Sequence, residues 1–196
     1  ESHIFNAKKQ QDCRIHHVRL LPERPPALPA ALDAIRQAEI ILLGPGSLYT
    51  SVIPNLLVEG VADAIQESKA LKIYVCNIMT QDGETEGMTA ADHVAALLEH
   101  GGAGLIDMCL CNNASVSAGL LERYSAEDAE PMQVSRRDIE LLGVEVVSRP
   151  LTDESSHFAR HSGIKVAEAV LELRSLDTVG GIYLDCRSGD DGWCRG

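Results

Sequence analysis

The sequence predicts an α/β fold: a doubly wound, mainly parallel sheet with helices on both faces. Three observations carry that expectation. Short apolar runs alternate with segments of helical period along most of the chain. Runs such as Ile40-Ile41-Leu42-Leu43 and Ile73-Tyr74-Val75-Cys76 are almost continuously apolar, as parallel strands covered on both faces must be. Strand–helix–strand order then calls for right-handed crossovers and a sheet layered between helices.

The elements follow in order. A first strand is expected over residues 15–21. Residues 22–29 contain four prolines and read as a surface loop. A helix over 30–38 leads into a strand over 40–43, and a long helix over 52–68 into a strand over 71–77. The next helix, 90–100, opens on Thr89-Ala90-Ala91-Asp92, which has the form of a capping box, and Gly101 is placed to stop it. A strand over 105–111 and a helix over 117–124 follow. Ser135-Arg136-Arg137-Asp138 repeats the capping device for a helix over 136–142, with Gly143 as its stop. After a strand over 144–148, residues 164–173 form an amphipathic helix. Val166, Ala169, Val170 and Leu173 make its apolar stripe, while Lys165, Glu168 and Glu172 lie off it. Residues 1–174 read as one α/β domain, and the Gly/Asp-rich residues 175–196 as a poorly ordered tail.

Composition narrows the function classes. With 45 % hydrophobic but only 4 % aromatic residues, the core of this 196-residue chain must be Leu, Ile, Val and Ala. A formal net charge of −12 argues against nucleic acid and anionic membranes, so an anionic ligand would have to be held by local backbone donors. No apolar run approaches the roughly 20 residues of a membrane span, and no secretory signal opens the chain. A cytoplasmic location without membrane insertion is expected. The chain starts Glu1-Ser2-His3 and lacks an initiator Met, as a processed chain or a piece of a longer one would. Six cysteines are present without a Cys-x-x-Cys pair. Cys76, Cys109 and Cys111 lie in apolar runs and read as buried thiols. Cys109-x-Cys111 shares a strand face, but no ligand spacing completes a metal site, and none is expected.

Ligands of parallel α/β sheets bind outside the carboxyl ends of the strands, near a topological switch point. Three loops are therefore the places to look. The first is Gly44-Pro45-Gly46-Ser47-Leu48-Tyr49-Thr50-Ser51. Its glycines permit positive φ, and its hydroxyls and the first N–H groups of the following helix share one space. That suits an anion; a tight turn with capping hydroxyls is the plain alternative. The second loop runs over 77–89. Asn77, Thr80, Gln81 and Thr85 suit a base, ribose or sugar, and Glu84 and Glu86 suit a hydroxyl or a divalent cation. The alternative is a solvated loop capping the next helix. The third, Asn112-Asn113-Ala114-Ser115, reads more readily as a turn than as a ligand reader. Among the histidines, His16 and His17 face opposite ways on a strand, and His93 and His100 lie two turns apart on one helix. His157 and His161 have a ligand spacing only if helical, with no partner to complete a site. His93, just after the second loop, is within range of a ligand. No nucleophile elbow or catalytic triad pattern is present.

Residues 44–57, with Tyr74-Val75-Cys76-Asn77-Ile78-Met79-Thr80-Gln81, Gly83-Glu84-Thr85, Thr89-Ala90 and Asp92-His93, resemble the bacterial gluconeogenesis factor family. That family lies in a CofD-like superfamily with 2-phospho-L-lactate transferase of coenzyme F420 synthesis. The resemblance runs from about residue 15 to about residue 173 and implies a Rossmann-like fold in a cytoplasmic protein. It implies a UDP-sugar ligand, UDP-N-acetylglucosamine in particular, and a non-catalytic role in regulating cell shape and carbon metabolism. The transferase branch moves a phospholactyl group onto a deazaflavin with Mg²⁺; the 44–51 motif is similar to the gluconeogenesis-factor version instead. No cofactor is then required, and Mg²⁺ belongs to the transferase reading alone. The ligand residues implied are Gly44, Pro45, Gly46, Ser47, Leu48, Tyr49, Thr50, Ser51, Asn77, Met79, Thr80, Gln81, Glu84, Thr85 and His93. Family members begin with a strand and a Gly-rich loop that does not precede residue 15 here, so the chain resembles the C-terminal part of a longer protein. A non-catalytic interaction domain, with a homo-oligomer as one form, is the remaining reading.

Overall fold

The computed structural model describes residues 14–126, 128–153 and 158–177. Its sheet has four strands: β1 (Ile40–Leu43), β2 (Leu71–Val75), β3 (Met108–Asn112) and β4 (Glu145–Arg149). They lie in the order β1-β2-β3-β4 and every pair is parallel. The helices are α1 (Pro29–Gln37), α2 (Ile53–Leu56), α3 (Val61–Glu67), α4 (Ala90–Gly101), α5 (Ala118–Ser125), α6 (Arg136–Glu140) and α7 (Gly163–Asp177). The α/β class, the parallel sheet and the helices on both faces are as the sequence predicts.

Two cores flank the sheet. On one face Tyr74, Cys76, Cys109, Cys111 and Val146 pack with Ile53, Val94, Leu97 and Ile139 from α2, α4 and α6. On the other, Leu71, Ile73, Val75, Met108, Leu110 and Val147 pack with Val166, Ala169, Val170 and Leu173 of α7. The stripe expected on α7 is thus the stripe that is buried. The strand order is sequential; α2, α4 and α6 pack on the first face, and among the described residues α7 is the helix that covers the other. No switch point lies among the described strands.

Four expectations need correction. Residues 15–21 form no strand. Ile15 and Val18 pack on the first core, but the segment is held by a side chain rather than a ladder: His100 Nε2 accepts the Val18 N–H (3.2 Å) while His100 Nδ1 donates to the Ala96 carbonyl (2.7 Å). His17 stacks on the His100 ring with centroids 4.6 Å apart. The helix expected over 52–68 is broken. A π-helical turn, Leu48–Val52, runs into α2, whose first turn tolerates Pro54 because proline, having no N–H, costs no helical hydrogen bond at that position. Gly60 then takes φ 81° and starts α3 on a new axis. The strand expected from residue 105 begins at Met108, since Leu105 and Ile106 are buried in the loop before it. The helix expected to stop at Gly101 includes that residue, and Gly102 at φ 86° ends it. The capping box at Thr89 and Asp92 is complete, whereas Ser135 only accepts from the Asp138 N–H. α7 carries residues 175–177 onward; residues 178–196 of the expected tail, and His157, lie outside the described residues.

Truncation of fully buried Leu173 leaves a cavity under α7, and Leu173→Ala is expected to cost about 2–5 kcal/mol. Thr89→Ala removes a cap and is expected to cost about 1 kcal/mol. Urea unfolding followed by circular dichroism separates the two; equal losses would contradict this division of the core.

Candidate functional site

β1 and β2 deliver the first two loops side by side. Gly44 leaves β1 at φ 81°, and a Cβ there would sit 3.1 Å from the Val75 carbonyl oxygen, so the turn against β2 needs glycine. The Gly44-Pro45 peptide is cis. Leu48 and Tyr49 are buried and anchor the turn from below. Pro45 and Ser51 are exposed, and Gly46, Ser47 and Thr50 are half-buried at the rim.

The loops are then clasped. Ser47 Oγ donates to Gln81 Oε1 (2.8 Å). Glu84 Oε1 accepts the Tyr49 N–H (2.7 Å) and the Thr50 N–H (2.9 Å). The helical turn does bind an anion at these two amides, and the anion is the protein's own carboxylate. The first two loops predicted to cooperate are therefore brought together, with Glu84 as the joint.

Several residues expected to read a ligand are engaged in the fold of the second loop. Thr80 bonds residue 130 twice: its N–H donates to the Glu130 carbonyl (2.7 Å), and its Oγ1 accepts the Glu130 N–H (2.8 Å). Thr85 Oγ1 accepts the Gln81 N–H (2.9 Å). Met79 is buried and bridges to Pro131. The segment 130–132 that pins this loop carries no periodic or motif signal, and the sequence reading passed over it.

In the third loop, the Asn112 side chain donates to the Ala114 carbonyl and accepts the Ala114 and Leu151 N–H groups, so the turn reading holds. Beside it a crevice of about 280 Å³ opens at the carboxyl ends of β2 and β3, lined by Asn77, Cys111, Asn113, Ser115 and Met132 among others. A second hollow, about 200 Å³, lies beyond Tyr49 and Glu84 and collects Glu86, Asp92 and Glu99 around Arg14 and His16. The carboxylates of the second hollow disfavour a phosphate there, whereas the 44–51 rim and the asparagine-lined crevice present neutral polar groups.

His93 lies in the core. It is fully buried, and its Nδ1 is 2.8 Å from the Tyr74 hydroxyl. Burial lowers its pKa to about 4, against a small opposing pull from Asp92, so the ring is neutral at physiological pH. Burial also pushes the Tyr74 phenol well above its ordinary value. His93 reaches the two loops through Tyr74 and α4 rather than by facing solvent.

This is a parallel α/β domain whose first two loops are joined at the carboxyl ends of its strands. The chain belongs to the CofD family: the family model described as 2-phospho-L-lactate transferase CofD matches residues 1–152. It is 45 % identical over 172 residues to the gluconeogenesis factor of Halalkalibacterium halodurans, covering 88 % of this chain and 52 % of that protein. It is 41 % identical over 160 residues to the gluconeogenesis factor of Bacillus subtilis, covering 82 % and 50 %. A crystal structure of a UPF0052 family protein from Bacillus halodurans superposes with a TM-score of 0.80 at 42 % identity, covering 85 % of this chain and 54 % of the other. The chain thus spans about half the length of these relatives. No helix among the described residues is long and apolar enough to cross a membrane.

The depressed histidine makes a pH prediction. The unfolded chain takes up a proton on His93 below about 6.5, while the folded chain does so only near 4. Stability is therefore full above pH 6.5 and falls as pH drops toward 4, by on the order of 3 kcal/mol for this residue. His161, whose pKa is also lowered by burial, acts in the same direction. His93→Asn keeps a partner for Tyr74 and is expected to flatten this slope in denaturation series from pH 7 to pH 4.

Proposed function

We propose that the chain carries half of the binding site of a regulatory protein of the gluconeogenesis-factor type, whose ligand is a nucleotide-sugar such as UDP-N-acetylglucosamine. The observation that carries the reading is the clasp. Glu84 holds the Tyr49 and Thr50 amides and Gln81 holds Ser47, so the Gly44–Ser51 rim is fixed before any ligand arrives. A fixed rim lowers the ordering cost of binding. The pyrophosphate lies on the Gly46–Leu48 amides and the Ser47, Thr50 and Ser51 hydroxyls. The sugar or base enters the adjoining crevice and meets Asn77 and the Gln81 amide. Met79, Thr80, Thr85 and His93 act from behind, by holding the second loop and α4 in place. In this reading no metal takes part, and binding controls cell shape and carbon metabolism without a chemical step.

The family description favours one rival, a phospholactyl transferase using Mg²⁺. Formation of product from a deazaflavin and activated phospholactate would establish it over the regulator.

Calorimetric titration of the full-length protein with UDP-N-acetylglucosamine is the test. Saturable binding is expected, and Ser47→Ala is expected to weaken it at least tenfold, the effect of losing one hydrogen bond to a charged group. No heat from folded protein, or unchanged affinity in Ser47→Ala and Thr50→Ala, would sink the reading.

A further inference from the structure

On the sheet face that packs against α4, β2 and β3 set four side chains in a square. Tyr74 pairs with Cys109 in the parallel register. The same offset puts Cys76 beside Cys111, and the Cys76 N–H donates to the Leu110 carbonyl (3.0 Å). Residues two apart on a strand share a face, so three thiols and one phenol converge. The Cys109 and Cys111 sulfurs are 3.5 Å apart, and all three sulfurs lie within 4.8 Å of one another. None of the three cysteines is more than 1 % exposed.

We propose that Cys76, Cys109 and Cys111 form a trithiolate binding site for a thiophilic d¹⁰ cation of the Zn²⁺ or Cu⁺ class, set in the wall of the carboxyl-end crevice. The spacing suits it. At a metal–sulfur distance of about 2.3 Å, thiolates around one tetrahedral or trigonal ion lie roughly 3.8–4.0 Å apart, so no pair of sulfurs need change its separation by more than about 1 Å. Soft thiolate donors select such ions over Mg²⁺ or Ca²⁺. Cys111 also stands in the lining of the crevice.

Binding an ion displaces the thiol protons to solvent, so that each sulfur enters as thiolate. A Cys109–Cys111 disulfide fits less well. Alternate residues of an extended strand are about 6.6–6.8 Å apart at Cα, the upper limit of disulfide spans, with side chains parallel rather than opposed.

The test uses the full-length protein with Cys13, Cys186 and Cys194 changed to Ser, reduced, freed of metal by chelation and titrated with Cd²⁺. One equivalent is expected to bind, with a sulfur-to-cadmium charge-transfer band of three-thiolate intensity and a rise in Tm. Cys111→Ser is expected to lower the Cd²⁺ affinity at least a hundredfold; if it fails to fold, Cys109→Ser and Cys76→Ser are read in the same way. Absence of the band from folded protein at one equivalent overturns the proposal. So does undiminished affinity in a folded single variant. A disulfide among the three that forms on air exposure and blocks Cd²⁺ would assign the cluster to redox chemistry instead.

Discussion

Burial of β2 on both faces is the constraint from which the rest of the domain follows. All five of its residues are buried, including Lys72. A lysine can be held there only if its charge is answered. The Lys72 ammonium reaches Asp107 at 3.3 Å and the Ser68 and Ala70 carbonyls, while Asp107 also accepts the Lys72 N–H at 2.8 Å. With the entry to β2 locked in this way, its register with β1 and β3 is set. The loops that leave the carboxyl ends of these strands start from fixed points.

The clasp between the loops is the next level of the same logic. A glycine-rich turn at the start of a helix offers amides that want an anion, and in this chain a glutamate 34 or 35 positions further on supplies it. The site is therefore partly filled by its own scaffold. What is left for a ligand is narrower than a bare anion hole: a rim of backbone and hydroxyls beside a crevice of amide side chains. The acidic hollow on the other side of Glu84 gives the rim two electrostatically different flanks, one lined by carboxylates and one by amide side chains.

Much of this was legible in the sequence, and the exceptions have physical causes. The apolar runs located the central strands because burial on both faces leaves β2 and β3 little polar alternation to confuse them. Thr89 and Asp92 located α4 because a capping box is a local device. The run over 15–21 misled because its alternation reflects Ile15 and Val18 resting on a core, with the backbone tied down by His100, a partner 82 positions away from Val18. The loop motif at 44–51 and its partner at 77–85 were legible as a site, but the inward turn of Thr80 and Thr85 was not. That turn depends on residue 130 and on Gln81, and hydroxyls carry no sign of which way they point. Nor could spacing along the chain unite Cys76 with Cys109 and Cys111, because only the register of β2 against β3 does so.

The layering of the sheet has a consequence for where this polypeptide can be cut. Among the described residues one helix, α7, covers the second face of the sheet, and it begins at Gly163. The stretch matched by the family model ends at residue 152, before it. A fragment trimmed to that boundary would present Leu71, Ile73, Val75, Met108, Leu110 and Val147 to water as one continuous greasy plane, the kind of surface that drives chains to stick to one another. Cover for this face of the sheet thus depends on the reach of Leu173, beyond the stretch that the family model matches.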